Sequence, residues 1–330
     1  MNGIKDIIVF GLCFGVCFSF GMKLFSFISR NYKNKKETYD ESSKQIKFYL
    51  IIEFLLVALI SCPLFMLDAK SGDTVVFAVS VIFMWLPALS VLLTRKITKD
   101  KSDLLLKPLI KKNWKHYILA AFLPGVLIVF GAAAYFMIFP EQLDLSMRYI
   151  RELAASSGQT IDLPTLPTIM LLPIALVLII AAPFVFVNHI LAFGEEIGWR
   201  GYLTPLLCKK LGNIKGTLCG GALWGLAHAP LVCFGVNYSG DYPGTPFTGI
   251  LMMILFAATV GVFLTYLVNK TNSIIPSCIA HGAINAIREA PLFICLLGNN
   301  ALLGPKPSGI IGMSGFLIIG IVLLVKMKKE

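Results

Sequence analysis

Long apolar runs, separated by short polar connections, organise this chain. A hydrocarbon layer about 30 Å thick takes about 20 helical residues to cross. Nine runs qualify: residues 7–28, 48–67, 74–94, 117–139, 168–193, 216–236, 247–268, 274–297 and 308–325. Arg288 and Glu289 interrupt the eighth. Between the runs, residues 30–47 are rich in Lys, Asn and Ser and read as a solvated linker. Residues 140–167 form the longest outer connection, where Leu143, Met147 and Ile150 share a face that suits an interfacial helix. Pro164 and Pro167 close it. The pattern predicts an all-α, polytopic transmembrane bundle of eight or nine spans with no internal repeat. Its sections are N-terminal helices (1–139), an outer amphipathic loop (140–167), a core (168–297), and a last helix with a basic tail (298–330).

Composition agrees. The 330 residues are 57% hydrophobic and 14% charged, with a mean hydropathy of +0.79. A soluble domain carries about a quarter charged residues. In a soluble protein the net charge of +11 would suggest nucleic acid as a partner. Here the basic residues sit in loops, where they act as orientation signals, so no nucleic acid is expected. With the N-terminus outside, 22 Lys and Arg face the cytoplasm and 5 face outward. That asymmetry predicts an N-out, C-in protein of the cell membrane, with a bacterial cell membrane as the expected setting. The N-terminus lacks a strong basic region and a cleavage site, so residues 7–28 read as a first span. The eight cysteines, most of them inside apolar runs, read as small buried hydrophobes.

Against this background the polar residues inside the runs stand out. Gly194-Glu195-Glu196-Ile197-Gly198-Trp199-Arg200-Gly201 follows the fifth run. A charge near hydrocarbon costs roughly 2.5–3.5 kcal/mol on insertion scales, so it is usually paired or faces a polar cavity. Glu196 and Arg200 are i,i+4 and can pair. Glu195 points about 100° away and is left over as a candidate general base. Of four histidines, His189, His228 and His281 fall within runs, and His116 lies in a basic loop. Trp224 and His228 share a helix face, as do His281 and Asn285. Gly220, Gly221, Gly225 and Gly282 beside them allow close helix approach. His189 lies on the face of Glu196 and reads as structural. With the predicted topology, Glu195, His228 and His281 all fall in the cytoplasmic half of the membrane.

In order, the three segments resemble the CaaX-protease and bacteriocin-processing family, also called CPBP, Abi or type II CaaX endopeptidases. Its pattern is E-E-x-x-x-R, F-x-x-x-H and H-x-x-x-N on three membrane helices. Here it reads Glu195 to Arg200, Trp224 to His228, and His281 to Asn285, with Trp224 where phenylalanine is common. The resemblance covers about residues 168–297 and implies an intramembrane endopeptidase. It assigns Glu195 and His228 to water activation, and His281 and Asn285 to holding the water or the oxyanion. Glu196, Arg200 and Trp224 would support them. The implied partners are membrane lipid and a membrane-associated peptide or lipidated protein, with bacteriocin processing or self-immunity as further roles. Glu195, His228 and His281 are also enough ligands for a catalytic zinc, yet the H-E-x-x-H helix is absent. The reading therefore requires no cofactor, and zinc stays an open alternative. Rival readings are a multi-pass transporter or a non-catalytic immunity or scaffold protein. A serine protease is discounted, because Ser314 follows His281 in the chain instead of preceding it.

Overall fold

The computed structural model describes residues 41–67, 69, 73–156, 158–238 and 242–329. The expected first span (7–28), Cys13, Cys17 and most of the 30–47 linker lie outside them. The described residues are helical, and a single isolated bridge, Leu143 to Cys295, stands in for a sheet. The protein is an integral membrane protein built from apolar helices.

The chain begins with α1 (Glu41–Met66), α2 (Thr74–Phe83), α3 (Leu86–Thr98) and α4 (Ile110–Ile138). A short amphipathic helix, α5 (Arg148–Ser156), precedes α6 (Leu171–Ala181) and α7 (Phe186–Gly198). A π-helical turn, Trp199–Leu203, leads into α8 (Thr204–Leu211). Then follow α9 (Asn213–Ala227), α10 (Ala229–Cys233), α11 (Phe247–Thr271), α12 (Ile275–Ile287) and α13 (Ser314–Lys329).

Three of these helices, α1, α4 and α11, are long and apolar enough to cross a membrane. The number rises to five if each bent pair is one span, namely α2 with α3 (40°) and the segments Thr168–Phe184 and Phe186–Leu211 (59°). Proline sets these breaks. Pro87 sits at the start of α3, and Pro183 lies in the 3-10 turn between α6 and α7. Proline removes an N–H and crowds the preceding turn.

The structure also shortens two expected spans. In place of a continuous 216–236, α9 ends at Ala227, His228 caps it, and Pro230 opens α10. In place of 274–297, α12 ends at Ile287, and a 3-10 turn with Pro291 follows. The 15 residues of α9 and 13 of α12 reach about 20 Å at 1.5 Å per residue, short of a bilayer core. Apolar sequence continues past the break at His228, so hydropathy alone does not reveal it, whereas Arg288 and Glu289 mark the second.

Within the bundle, α9 packs along α11, and α12 lies between α7 and α4. Further out, α1 packs on α3 and α3 on α7. In α11, 67% of the apolar window is buried, against 39% in α1 and 33% in α4, so α11 is the axis and the other two face outward. Glycine makes the α9–α11 contact. A Cβ at Gly221 would stand 2.6 Å from Ala258 Cα, and one at Gly225 2.5 Å from Ile254 Cα. Both distances are shorter than real side chains tolerate, so the two backbones touch directly, as small residues permit in membrane helices. The turn from α11 into α12 uses Asn272 in the left-handed region, whose N–H donates to the Val268 carbonyl at 2.7 Å. This closes α11 as a left-handed cap.

Candidate active site

Glu195 and Glu196 stand at the end of α7, with 2% and 0% of their surface exposed. Arg200 follows in the π-helical turn and is equally buried. The expected ion pair is present, with Arg200 Nη1 3.0 Å from Glu196 Oε1. The same oxygen also accepts from His281 Nδ1 at 2.9 Å. Glu196 therefore holds two cationic or donor groups, one from its own turn and one from α12. It ties the first motif to the third, a link that sequence spacing does not show.

Glu195 is not left without a partner. The Trp224 indole Nε1 donates to its Oε2 at 2.5 Å. Trp224 thereby supplies a hydrogen-bond donor that a phenylalanine would lack. The Arg200 guanidinium lies over the same indole, 4.1 Å from its centroid, a cation–π contact. The Trp224 ring also meets the His281 ring edgewise at 5.2 Å. Trp224 thus touches members of all three motifs.

His228 ends α9, where its ring turns back on its own helix. Its Nδ1 lies 2.9 Å from the Trp224 carbonyl. A carbonyl can only accept, so Nδ1 carries the proton and the neutral ring keeps its lone pair on Nε2. Phe83 of α2 packs on the other side of the ring, with centroids 5.0 Å apart. For His281 the same reasoning applies, because the carboxylate partner requires Nδ1 to be the donor.

Glu195, His228, His281 and Asn285 line one cavity of about 600 Å³, its open mouth included. Along α12 the lining residues are His281, Ile284, Asn285 and Arg288, a single helix face at i, i+3, i+4 and i+7. Phe83 of α2, Met84 just after it, and Met253 and Phe256 of α11 supply apolar wall. His189 lies apart from the cavity. Its Nε2 is 2.8 Å from the Pro183 carbonyl, and its ring fills the space over Gly282, so it braces the bend between α6 and α7 against α12.

Among the described residues, no group of three His, Cys, Asp or Glu side chains stands close enough to share one metal ion. The set Glu195, His228 and His281 is therefore not arranged as a zinc site.

Sequence reading missed two residues of this region. Glu53 of α1 is fully buried, and the Ser90 hydroxyl of α3 donates to its Oε2 at 2.7 Å. It lies within electrostatic reach of Glu195. A lone carboxylate inside an apolar run was the available signal. Arg288, read above as an interruption of the eighth run, lines the cavity.

Comparison with known proteins matches the stretch of chain that holds these residues. Residues 166–287 match the family model described as type II CAAX prenyl endopeptidase Rce1-like. Over 108 residues the chain is 30% identical to "CAAX prenyl protease 2" of Methanococcus maripaludis. That match covers 32% of this chain and 40% of the relative's length. The matched segment contains all three motifs and the helices that bring them together. Over residues 166–287 the chain is similar to the type II CAAX prenyl endopeptidase family, and it spans less than half the length of the relative it matches.

Proposed function

We propose that the protein is an intramembrane endopeptidase that hydrolyses a peptide bond in a membrane-associated peptide or lipid-modified protein tail. The observation that carries this reading is the meeting of Glu195, His228, His281 and Asn285 in one cavity. Water held between the Glu195 carboxylate and His228 Nε2 loses a proton to them as its oxygen attacks the scissile carbonyl carbon. The C–O bond forms, the carbonyl oxygen becomes an oxyanion, and the Asn285 amide, joined by His281 in its doubly protonated form, donates hydrogen bonds to it. The proton then passes to the leaving nitrogen as the C–N bond breaks. Glu196 holds His281 in place, and Arg200 balances the charge of Glu196. The matched relative is named a prenyl protease, which supports a prenylated tail as the substrate. The charge asymmetry of the loops supports a cavity in the cytoplasmic half of the membrane.

Glu195→Gln tests the reading, since it keeps shape and removes the base. The folded variant should lose cleavage of a prenylated Cys-a-a-X peptide by at least about 10²-fold. Retained cleavage overturns the assignment. Activity that survives exhaustive chelation fits the metal-free mechanism. Loss restored by zinc replaces that mechanism and keeps the protease.

A further inference from the structure

A line of polar side chains runs between α1 and α3, apart from the residues that line the cavity. After a short turn, α2 and α3 return beside α1, so α1 and α3 are antiparallel. The Ser90 hydroxyl of α3 donates to Glu53 of α1 at 2.7 Å and fixes their register. One turn along each helix lie Tyr49 and Thr94, and one turn further lie Gln45 and Thr98. All six are buried. In the other direction, one turn leads to Val57 and Leu86, which are buried and apolar, so the line stops at Glu53. Beyond Gln45 and Thr98 it comes out at Glu41 and Lys99, which are exposed. That end carries the basic 95–115 segment, which loop charge assigns to the cytoplasm.

Protein groups do not satisfy this line. Glu53 Oε1, Tyr49 Oη and Thr94 Oγ1 are buried, and none has a hydrogen-bond partner among the described residues. Buried polar atoms are satisfied by protein or by ordered water, and an interior water makes about three hydrogen bonds to such groups. A carboxylate oxygen accepts, and a hydroxyl both donates and accepts. Together they suit a chain of water. Polar side chains inside a membrane bundle characteristically face such a path.

The line ends against the first motif. A Cβ at Gly198 would stand 2.6 Å from Tyr49 Oη, and one at Gly194 2.6 Å from the Met84 carbonyl oxygen. These two glycines are i,i+4 on α7, so bare backbone meets α1 and the break between α2 and α3. Tyr49 and Glu53 both lie within electrostatic reach of Glu195. Each cleavage consumes one water beside Glu195, at a time when substrate fills the cavity. Resting on the endopeptidase reading above, we propose that the seam between α1 and α3 conducts hydrolytic water from the cytoplasmic end of the bundle to Glu195. The route passes Gln45 and Thr98, then Tyr49 and Thr94, then Glu53 and Ser90. From Gln45 to Glu53 it spans about 12 Å at 1.5 Å per residue. Water thus enters behind the base while the peptide stays in the cavity. Helices outside residues 166–287 supply the matched segment with its second reactant.

The test reads water and turnover separately. Hydroxyl-radical labelling of the full chain in detergent, followed by mass spectrometry, reports water held beside a buried side chain. Tyr49 should be oxidised well ahead of Tyr238, which is as buried and whose hydroxyl donates to the Ser308 carbonyl at 2.8 Å. Thr94→Val keeps the shape and should slow Tyr49 without changing Tyr238. Labelling of Tyr49 no faster than Tyr238 overturns the route, whatever the activity. Turnover of the prenylated Cys-a-a-X peptide is the second readout. Glu53→Leu should lower kcat by about tenfold and leave KM in place, the mark of a defect that follows substrate binding. Glu53→Gln keeps a polar chain and should recover most of that loss. Wild-type kcat in Glu53→Leu overturns the supply role, as does an equal loss in Glu53→Gln, since the carboxylate charge and not water is then required. If Glu53→Leu does not fold, Thr94→Val gives the same comparison of kcat and KM. Fast labelling of Tyr49 in an unsubstituted protein that cleaves nothing upholds the water route and removes the hydrolase reading.

Discussion

Trp224 does three things with one side chain. Its edge donates to Glu195, its face carries the Arg200 cation, and its ring packs on His281. Trp224→Phe keeps a ring and removes the donor. A hydrogen bond to a charged group is worth roughly 1.5–3 kcal/mol, so cleavage of the prenylated peptide should fall by about 10- to 100-fold while the protein stays folded. Turnover measured beside thermal stability checks this, and unchanged turnover would show that Glu195 needs no indole. The motif spacing made the shared face of Trp224 and His228 legible, and likewise the Glu196–Arg200 pair, because both lie within one helix. The contacts from Trp224 to Glu195 and from His281 to Glu196 were not legible. They depend on how closely α9 and α12 approach α7, which no local pattern encodes.

At the scale of helices, glycine and proline divide the work. Glycine lets α9 lie against α11, and α9 and α12 end shortly before Pro230 and Pro291. The glycines at 221 and 225 were readable as packing residues, and Arg288 and Glu289 marked the interruption of the eighth run, whereas the break at His228 was masked by the apolar residues that follow it. A side chain at Gly225 meets backbone, not a movable side chain. Overpacking usually costs about 1–3 kcal/mol. Gly225→Leu should therefore lower the thermal midpoint in detergent and push His228 away from Glu195, with loss of turnover. A variant with wild-type stability and activity would show that the two helices can separate freely.

For the whole molecule, the loop charges predict a cytoplasmic C-terminus. A cysteine placed after Glu330 should resist membrane-impermeant maleimide in intact cells and react after lysis. Labelling from outside would overturn both the orientation and the cytoplasmic placement of the cavity. The all-helical membrane class was legible from composition. The span count was not, since bent pairs and short helices blur what one crossing is. The matched segment does not make the whole of the cavity wall: Ser80, Phe83 and Met84, at and just after the end of α2, lie outside residues 166–287. How such a composite site keeps its shape in a fluctuating bilayer follows from Trp224. Its indole grips Glu195 on α7, and its carbonyl grips the ring of His228 on α9. Both proposed proton carriers therefore contact the same residue. The distance between them is thereby referred to a single side chain and its own carbonyl.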